Sequence, residues 1–220
     1  MKSAVRIALA VALALIAQQM VMGSSIITMP TADVAPVGTV NVASYVVSFN
    51  DMPAGAPTGM NVHIAYAGIA KNLELEANVY DVNKGAPTQE FVVLTYKMLD
   101  ETATRPQVSV GVKNPFGETL GGDDDATLFI AAVKVVKAPA PGEPFSPVVR
   151  LHLGLGTNYH EGIFGGAQCL LTPKLGVAAL NDTNDTLIAA TFKPSDKSPT
   201  FKAGTLGDHT WFGIDYDLRF

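Results

Sequence analysis

Residues 210–220, the last eleven of the chain, read T-W-F-G-I-D-Y-D-L-R-F. Counted back from the end, every second residue is large and apolar: Phe220, Leu218, Tyr216, Ile214 and Phe212. Between them stand Arg219, Asp217, Asp215, Gly213 and Trp211, a mostly charged or small set. Successive side chains of a strand point to opposite sides, so this pattern predicts a β-strand with one greasy and one polar face. The greasy face runs to the last residue, where a soluble domain more often frays in polar side chains. The fold must cover five large side chains on one face of its final strand.

The amino-terminal residues have a different layout. Lys2 and Arg6 precede an apolar, uncharged run over 7–17, which Gln18 and Gln19 break before the small residues Gly23, Ser24 and Ser25. That order predicts a secretory signal peptide over 1–23. The run is too short for a membrane-spanning helix, which needs roughly 20 residues. Cys169 is far from this site, which excludes lipid attachment at a processed amino-terminal cysteine, and a lone cysteine forms no internal disulfide.

The whole chain has 220 residues, of which 48% are hydrophobic and only 16% charged, against about 25% charged in a soluble domain. No apolar run of membrane-helix length follows the signal, so the excess is spread over short segments and a helical membrane protein is disfavoured. A formal net charge of −5 argues against a nucleic-acid surface.

These features lead to a resemblance. The final strand resembles the closing strand of bacterial outer-membrane β-barrels, in which Phe212, Ile214, Tyr216, Leu218 and Phe220 would form the assembly signal read by the barrel assembly machinery. The stretch 24–38, S-S-I-I-T-M-P-T-A-D-V-A-P-V-G, resembles the amino-terminal motif of the YjbH-like outer-membrane barrel family through Ile26, Ile27, Pro30, Thr31, Ala32, Asp33, Pro36 and Gly38. Members of that family are linked to exopolysaccharide production, and the resemblance brings no catalytic residues. It implies a periplasmic amino-terminal segment over 24–37 and a barrel over 38–220, surrounded by outer-membrane lipid.

From Gly38 onward short alternating segments recur, near 38–49, 60–68, 72–80, 90–98, 106–113, 126–136, 147–156, 163–171, 174–181, 186–193, 200–206 and 209–219. They predict an all-β, antiparallel up-and-down barrel of about twelve strands, with ten as the lower count. Alternation is clean where Met60, Val62, Ile64 and Tyr66 oppose Asn61, His63, Ala65 and Ala67. It is equally clean in three others. Leu73, Leu75, Ala77 and Val79 oppose Glu74, Glu76 and Asn78; Val108, Val110 and Val112 oppose Gln107, Ser109 and Lys113; Val149, Leu151, Leu153 and Leu155 oppose Arg150 and His152. Long polar connectors at 51–58, 81–88 and 114–125 alternate with tight ones at 68–71 and 172–173; the proline-rich 137–147 breaks that rule. A secreted soluble β-sandwich binding a partner or saccharide has the same alternation and is the rival architecture.

If the polar faces line a lumen, it receives Glu74, Glu76, Lys97, Lys113, Lys134, Arg150, His152, Asp215, Asp217 and Arg219. Such mixed charge suits either a narrow wet pore for a polar solute or polymer, or a salt-bridged plug. Catalytic chemistry is not legible. His63, His152, His160 and His209 lack a serine two residues away, although Ser44, Ser48 and Ser109 are free to approach one in space. No metal-ligand spacing and no cofactor motif stands out. Two acidic loops, Asp123, Asp124 and Asp125, and Asn181, Asp182, Asn184 and Asp185, read as solvated tips, with divalent-cation bridging to lipid phosphates as the functional alternative. The expectation is a monomer that binds no nucleic acid.

Overall fold

The computed structural model describes residues 25–26, 29–84, 87–116, 125–138 and 146–219. The signal segment, Ile27, Asp123, Asp124 and Phe220 lie outside them. Two short strands, β1 (Ser25–Ile26) and β2 (Met29–Pro30), pair with each other. Twelve strands then close on themselves: β3 (Thr39–Ser48), β4 (Gly59–Ala70), β5 (Leu73–Val82), β6 (Gln89–Leu99), β7 (Gln107–Lys113), β8 (Thr127–Lys137), β9 (Val148–Gly156), β10 (Gly162–Thr172), β11 (Leu175–Asn181), β12 (Thr186–Phe192), β13 (Thr200–Leu206) and β14 (His209–Arg219). Every neighbour in sequence is an antiparallel neighbour in space, and β14 closes the barrel on β3 from Arg219↔Thr39 to Thr210↔Ser48. The strands are those read from the alternation, with ends shifted by a few residues. Closure into one sheet removes the soluble sandwich.

The outward register is apolar on most of the wall. Val46, Leu128, Leu151, Leu155, Ile163, Ile188 and Phe212 are all more than two-fifths exposed, and Leu153 is 62% exposed. The inward register is buried. On β5 it holds Glu74, Glu76 and Asn78, on β7 Ser109 and Lys113, on β9 Arg150 and His152, on β14 Trp211 and Asp215. On these strands the polar faces turn inward, as the alternation implies.

Strand β4 does the opposite. Val62, Ile64 and Tyr66 face inward and are buried, while Asn61, His63 and Ala65 are exposed. Register is the cause. Tyr66 pairs with Glu76, Ile64 with Asn78 and Gly68 with Glu74, and directly paired residues share a face. Once the β5 carboxylates point inward, the heavy side chains of β4 must follow. Because the strand period is two residues, no partial compromise exists.

Inside, the barrel is filled in two layers. Away from the end that carries the termini lies an apolar layer with Val47, Val62, Phe91, Phe129, Phe164, Leu180, Leu187 and Trp211. Towards the terminal end the side chains become polar. Three aromatic rings of the interior lie across a glycine of the adjacent strand: Phe129 over Gly111, Phe164 over Gly154 and Tyr45 over Gly213. Each is a direct cross-strand pair. An added Cβ would fall between 2.0 and 2.2 Å from the ring in every case.

Candidate functional site: a strap inside the lumen

The segment 29–38 does not join the barrel ladder. Pro30 and Pro36 lack the amide proton that a central strand would need. Instead it enters the lumen at the terminal end, where Met29, Thr31, Ala32 and Ala35 are no more than 2% exposed. It is held there by side chains of the wall. Gln107 Nε2 and Ser109 Oγ donate to the Ala32 carbonyl at 2.5 and 2.6 Å, and the Ala35 amide donates to Glu74 Oε2 at 2.7 Å. Arg150 Nη2 pairs with Asp33 Oδ1 at 2.6 Å. At the rim, Val37 bridges Gly68, and a Cβ on Gly68 would meet the Pro36 carbonyl at 2.2 Å. Glycine at 68 therefore lets the strap lie directly on β4.

The Arg150–Asp33 pair is largely buried, with side chains 9% and 14% exposed. Its Coulombic gain is offset by desolvation, so its contribution is to fix where the strap sits more than to add stability. Among the described residues, Asp33 Oδ2, Arg150 Nη1, Asn78 Oδ1 and Thr95 Oγ1 have no hydrogen-bond partner. A buried polar atom left so costs about 1–3 kcal/mol unless water reaches it.

Across the lumen is a second polar node. Tyr45 donates to Asp215 Oδ1 at 2.6 Å, Lys202 pairs with Asp215 Oδ2, and Lys202 Nζ lies 3.3 Å from the tyrosine hydroxyl. Nearer the rim Asn41 donates to Asp217 at 2.7 Å and Lys193 pairs with the same carboxylate at 3.1 Å.

The sequence-derived candidates divide by position. Glu74 and Arg150 hold the strap, Glu76 accepts from Asn78 at 2.8 Å, and His152 is buried two residues along β9 from Arg150. Asp215 and Asp217 belong to the second node. Lys113 lies at the other end, its ammonium 3.5 Å from the Tyr159 ring centroid and 4.5 Å from that of Phe91. Lys97 pairs with Asp100 at 2.7 Å on the terminal rim. Lys134 departs from the lumenal assignment: it occupies the outward register of β8 and reaches Glu101 at 3.2 Å on that rim. Arg219 is exposed at the end of β14. Phe212, Ile214 and Tyr216 face outward and are exposed, and Leu218 is half-buried.

Tyr45, Lys202 and Asp33 were not among the sequence candidates for this site. Lys202 stands in the polar phase between Phe201 and Ala203, which could have flagged it. Asp33 sits between two prolines that bar the segment from the sheet, a signal that it must find a partner elsewhere.

At the far end a 3₁₀ turn, Asn158–His160, packs against β8 and β9. His160 is fully buried, its Nδ1 3.2 Å from the Asp182 carbonyl. Burial lowers its pKa to about 4, with Lys113 adding to that and the Asp182 contact opposing it. In the acidic loop Asp182 Oδ1 accepts from the amides of Asn184 and Asp185 at 3.0 and 2.8 Å, ordinary turn bonding. Among the described residues no group of three or more His, Cys, Asp or Glu is placed to hold a metal ion.

Fold and interior define a closed twelve-stranded barrel with an occupied lumen. No family model and no curated protein matches the chain. Among solved structures, the crystal structure of an outer membrane channel from Pseudomonas putida F1 is similar over 84% of this chain and 96% of that one, at 14% identity and a TM-score of 0.40.

Proposed function

We propose that the chain is an outer-membrane channel for polar solutes, held shut by its own amino-terminal strap. The observation that supports this is how the strap is bound. Residues 29–35 sit inside the terminal part of the lumen, held by wall side chains and the Arg150–Asp33 ion pair, and none of the twelve strands relies on them for ladder bonds. The strap can therefore leave while the barrel stays closed. What it vacates is lined by Glu74, Glu76, Asn78, Ser109, Arg150 and Gln168, a surface suited to water and hydroxyl-bearing solutes.

Outer-membrane placement rests on the apolar outward register together with the signal layout and the alternating last strand, through which the assembly machinery would recognise the chain. The YjbH-like motif at 26–38 contains the strap itself, Pro30, Thr31, Ala32 and Asp33, and makes an exopolysaccharide or its oligomers the polymeric candidate. A liposome-swelling assay tests the solute class. A variant with 29–36 replaced by glycine and serine should admit mono- and disaccharides, while the full chain admits them slowly. No swelling with either would exclude a solute channel.

A further inference from the structure

Among the described residues there are five ion pairs, and four of them join residues of the barrel strands and their connectors: Lys97–Asp100, Lys134–Glu101, Lys193–Asp217 and Lys202–Asp215. The fifth takes its carboxylate from the strap, Asp33 to Arg150. If the strap leaves, the first four cations keep their partners. The Arg150 guanidinium, 7% exposed beneath the strap, is then left facing the lumen without a carboxylate. A sequestered charge in that position is costly. An anion that takes the place of Asp33 removes the cost.

The strap uses only half of what Arg150 offers. Nη2 meets Asp33 Oδ1 at 2.6 Å, while Nη1 and Oδ2 have no hydrogen-bond partner among the described residues. A guanidinium and a carboxylate can form two parallel bonds. The carboxylate tethered to the strap forms one, whereas a solute carboxylate that is free to turn can form both. The rest of the seat reads the surroundings of that carboxylate. Gln107 Nε2 and Ser109 Oγ donate to the Ala32 carbonyl, next to Asp33 in the chain, and Glu74 Oε2 accepts from the Ala35 amide, two residues further on. Two residues of extended chain span about 7 Å. The seat therefore fits a carboxylate with an acceptor beside it and a donor within about 7 Å. A sugar acid presents that pattern through its carboxylate and hydroxyls, and an acidic peptide through its backbone. Glu74 and Glu76 share the same inward face, which disfavours a phosphate monoester with its charge of about −1.5 to −2.

We propose that the seat of the strap is a binding site for solutes carrying a single carboxylate, for which Asp33 stands in while the channel is shut. The inference rests on the reading of the strap as removable, and it names the solute class within that reading.

Saturation-transfer NMR in detergent micelles tests it on the chain whose residues 29–36 are glycine and serine. Two matched pairs of probes are compared: D-glucuronate with D-glucuronamide, and N-acetyl-aspartyl amide with N-acetyl-asparaginyl amide. In each pair the members are similar in size and differ in charge. At least one carboxylate should bind about tenfold or more tightly than its amide, and the pair that shows the difference tells a sugar acid from an acidic peptide. Arg150→Met should remove the preference. Lys97→Met, which takes a positive charge from the rim without touching the seat, should leave it. The full chain, its seat filled, should bind all four probes weakly. Faster gel migration before heating reports folding, and Asp33→Asn, which keeps the whole strap, is a second receptor that should show the same order. Carboxylates that bind no better than their amides to a folded receptor overturn the inference, as does a preference that survives Arg150→Met. Liposome swelling separates this from the channel reading. Carboxylate binding without passage of any solute would overturn the channel and keep the site, whereas passage without a carboxylate preference would keep the channel and remove the site.

Discussion

Asp33 and Arg150 carry the most consequence per atom. Asp33→Ala leaves the Arg150 guanidinium buried without its carboxylate, a loss of about 3–5 kcal/mol for a buried pair and less where one partner is partly exposed. The strap should then undock, and limited proteolysis within 29–37 should become fast in the variant and stay slow in the full chain. Asp33→Leu with Arg150→Met should recover most of the protection, because no charge is stranded. At the far mouth His160 makes a pH-dependent contribution. Its folded pKa of about 4 lies below the ordinary 6.5, so an opened turn binds the proton more readily than the closed one. The closed turn is thus fully favoured above pH 6.5 and loses support as pH falls towards 4, by up to about 3 kcal/mol. Amides of 157–161 should lose hydrogen-exchange protection over that range beyond the intrinsic pH effect on exchange. His160→Gln should abolish the additional dependence.

Elements show where the sequence was legible and where it was not. Strand positions followed from alternation and turn residues, and the faces of β5, β7, β9 and β14 from their charges. Face assignment on β4 did not follow, because both of its faces are largely uncharged and the choice is made by pairing with Glu74, Glu76 and Asn78 across the ladder. A single strand has no information about its neighbour's register. Faces can be tested on β9. Leu153→Arg should cost about 2–4 kcal/mol in a bilayer if it sits near the midplane, and a spin label at 153 should be relaxed by lipid-dissolved oxygen. A label at 153 that oxygen cannot reach would mean the wall is covered by protein. Interior glycines offer a second test. Gly154→Ala and Gly213→Ala would push Phe164 and Tyr45 off the adjacent strand, and each should destabilise the barrel by about 1–3 kcal/mol in urea unfolding from vesicles.

At the scale of the whole molecule, twelve strands enclose more room than their own side chains fill near the terminal end, and the strap occupies it. Eight-stranded barrels fill themselves, and sixteen or more leave an open channel. Here the polar positions of β5, β7 and β9 were readable as an interior, but their partner was not. The strap lies 117 residues from Arg150 in sequence, and nothing in local periodicity joins the two. Only the prolines, which exclude the segment from the sheet, hinted that it must go elsewhere. The fold thus accounts for both halves of the mixed-charge pattern, with one end of the interior packed by aromatics and the other holding residues 29–35 against polar side chains of the wall. Single-channel recording in a planar bilayer tests this most directly, comparing the full chain with the variant whose residues 29–36 are glycine and serine. The account predicts a full chain that is closed most of the time and a variant that conducts steadily. Equal conductance from both, or none from either, would contradict it.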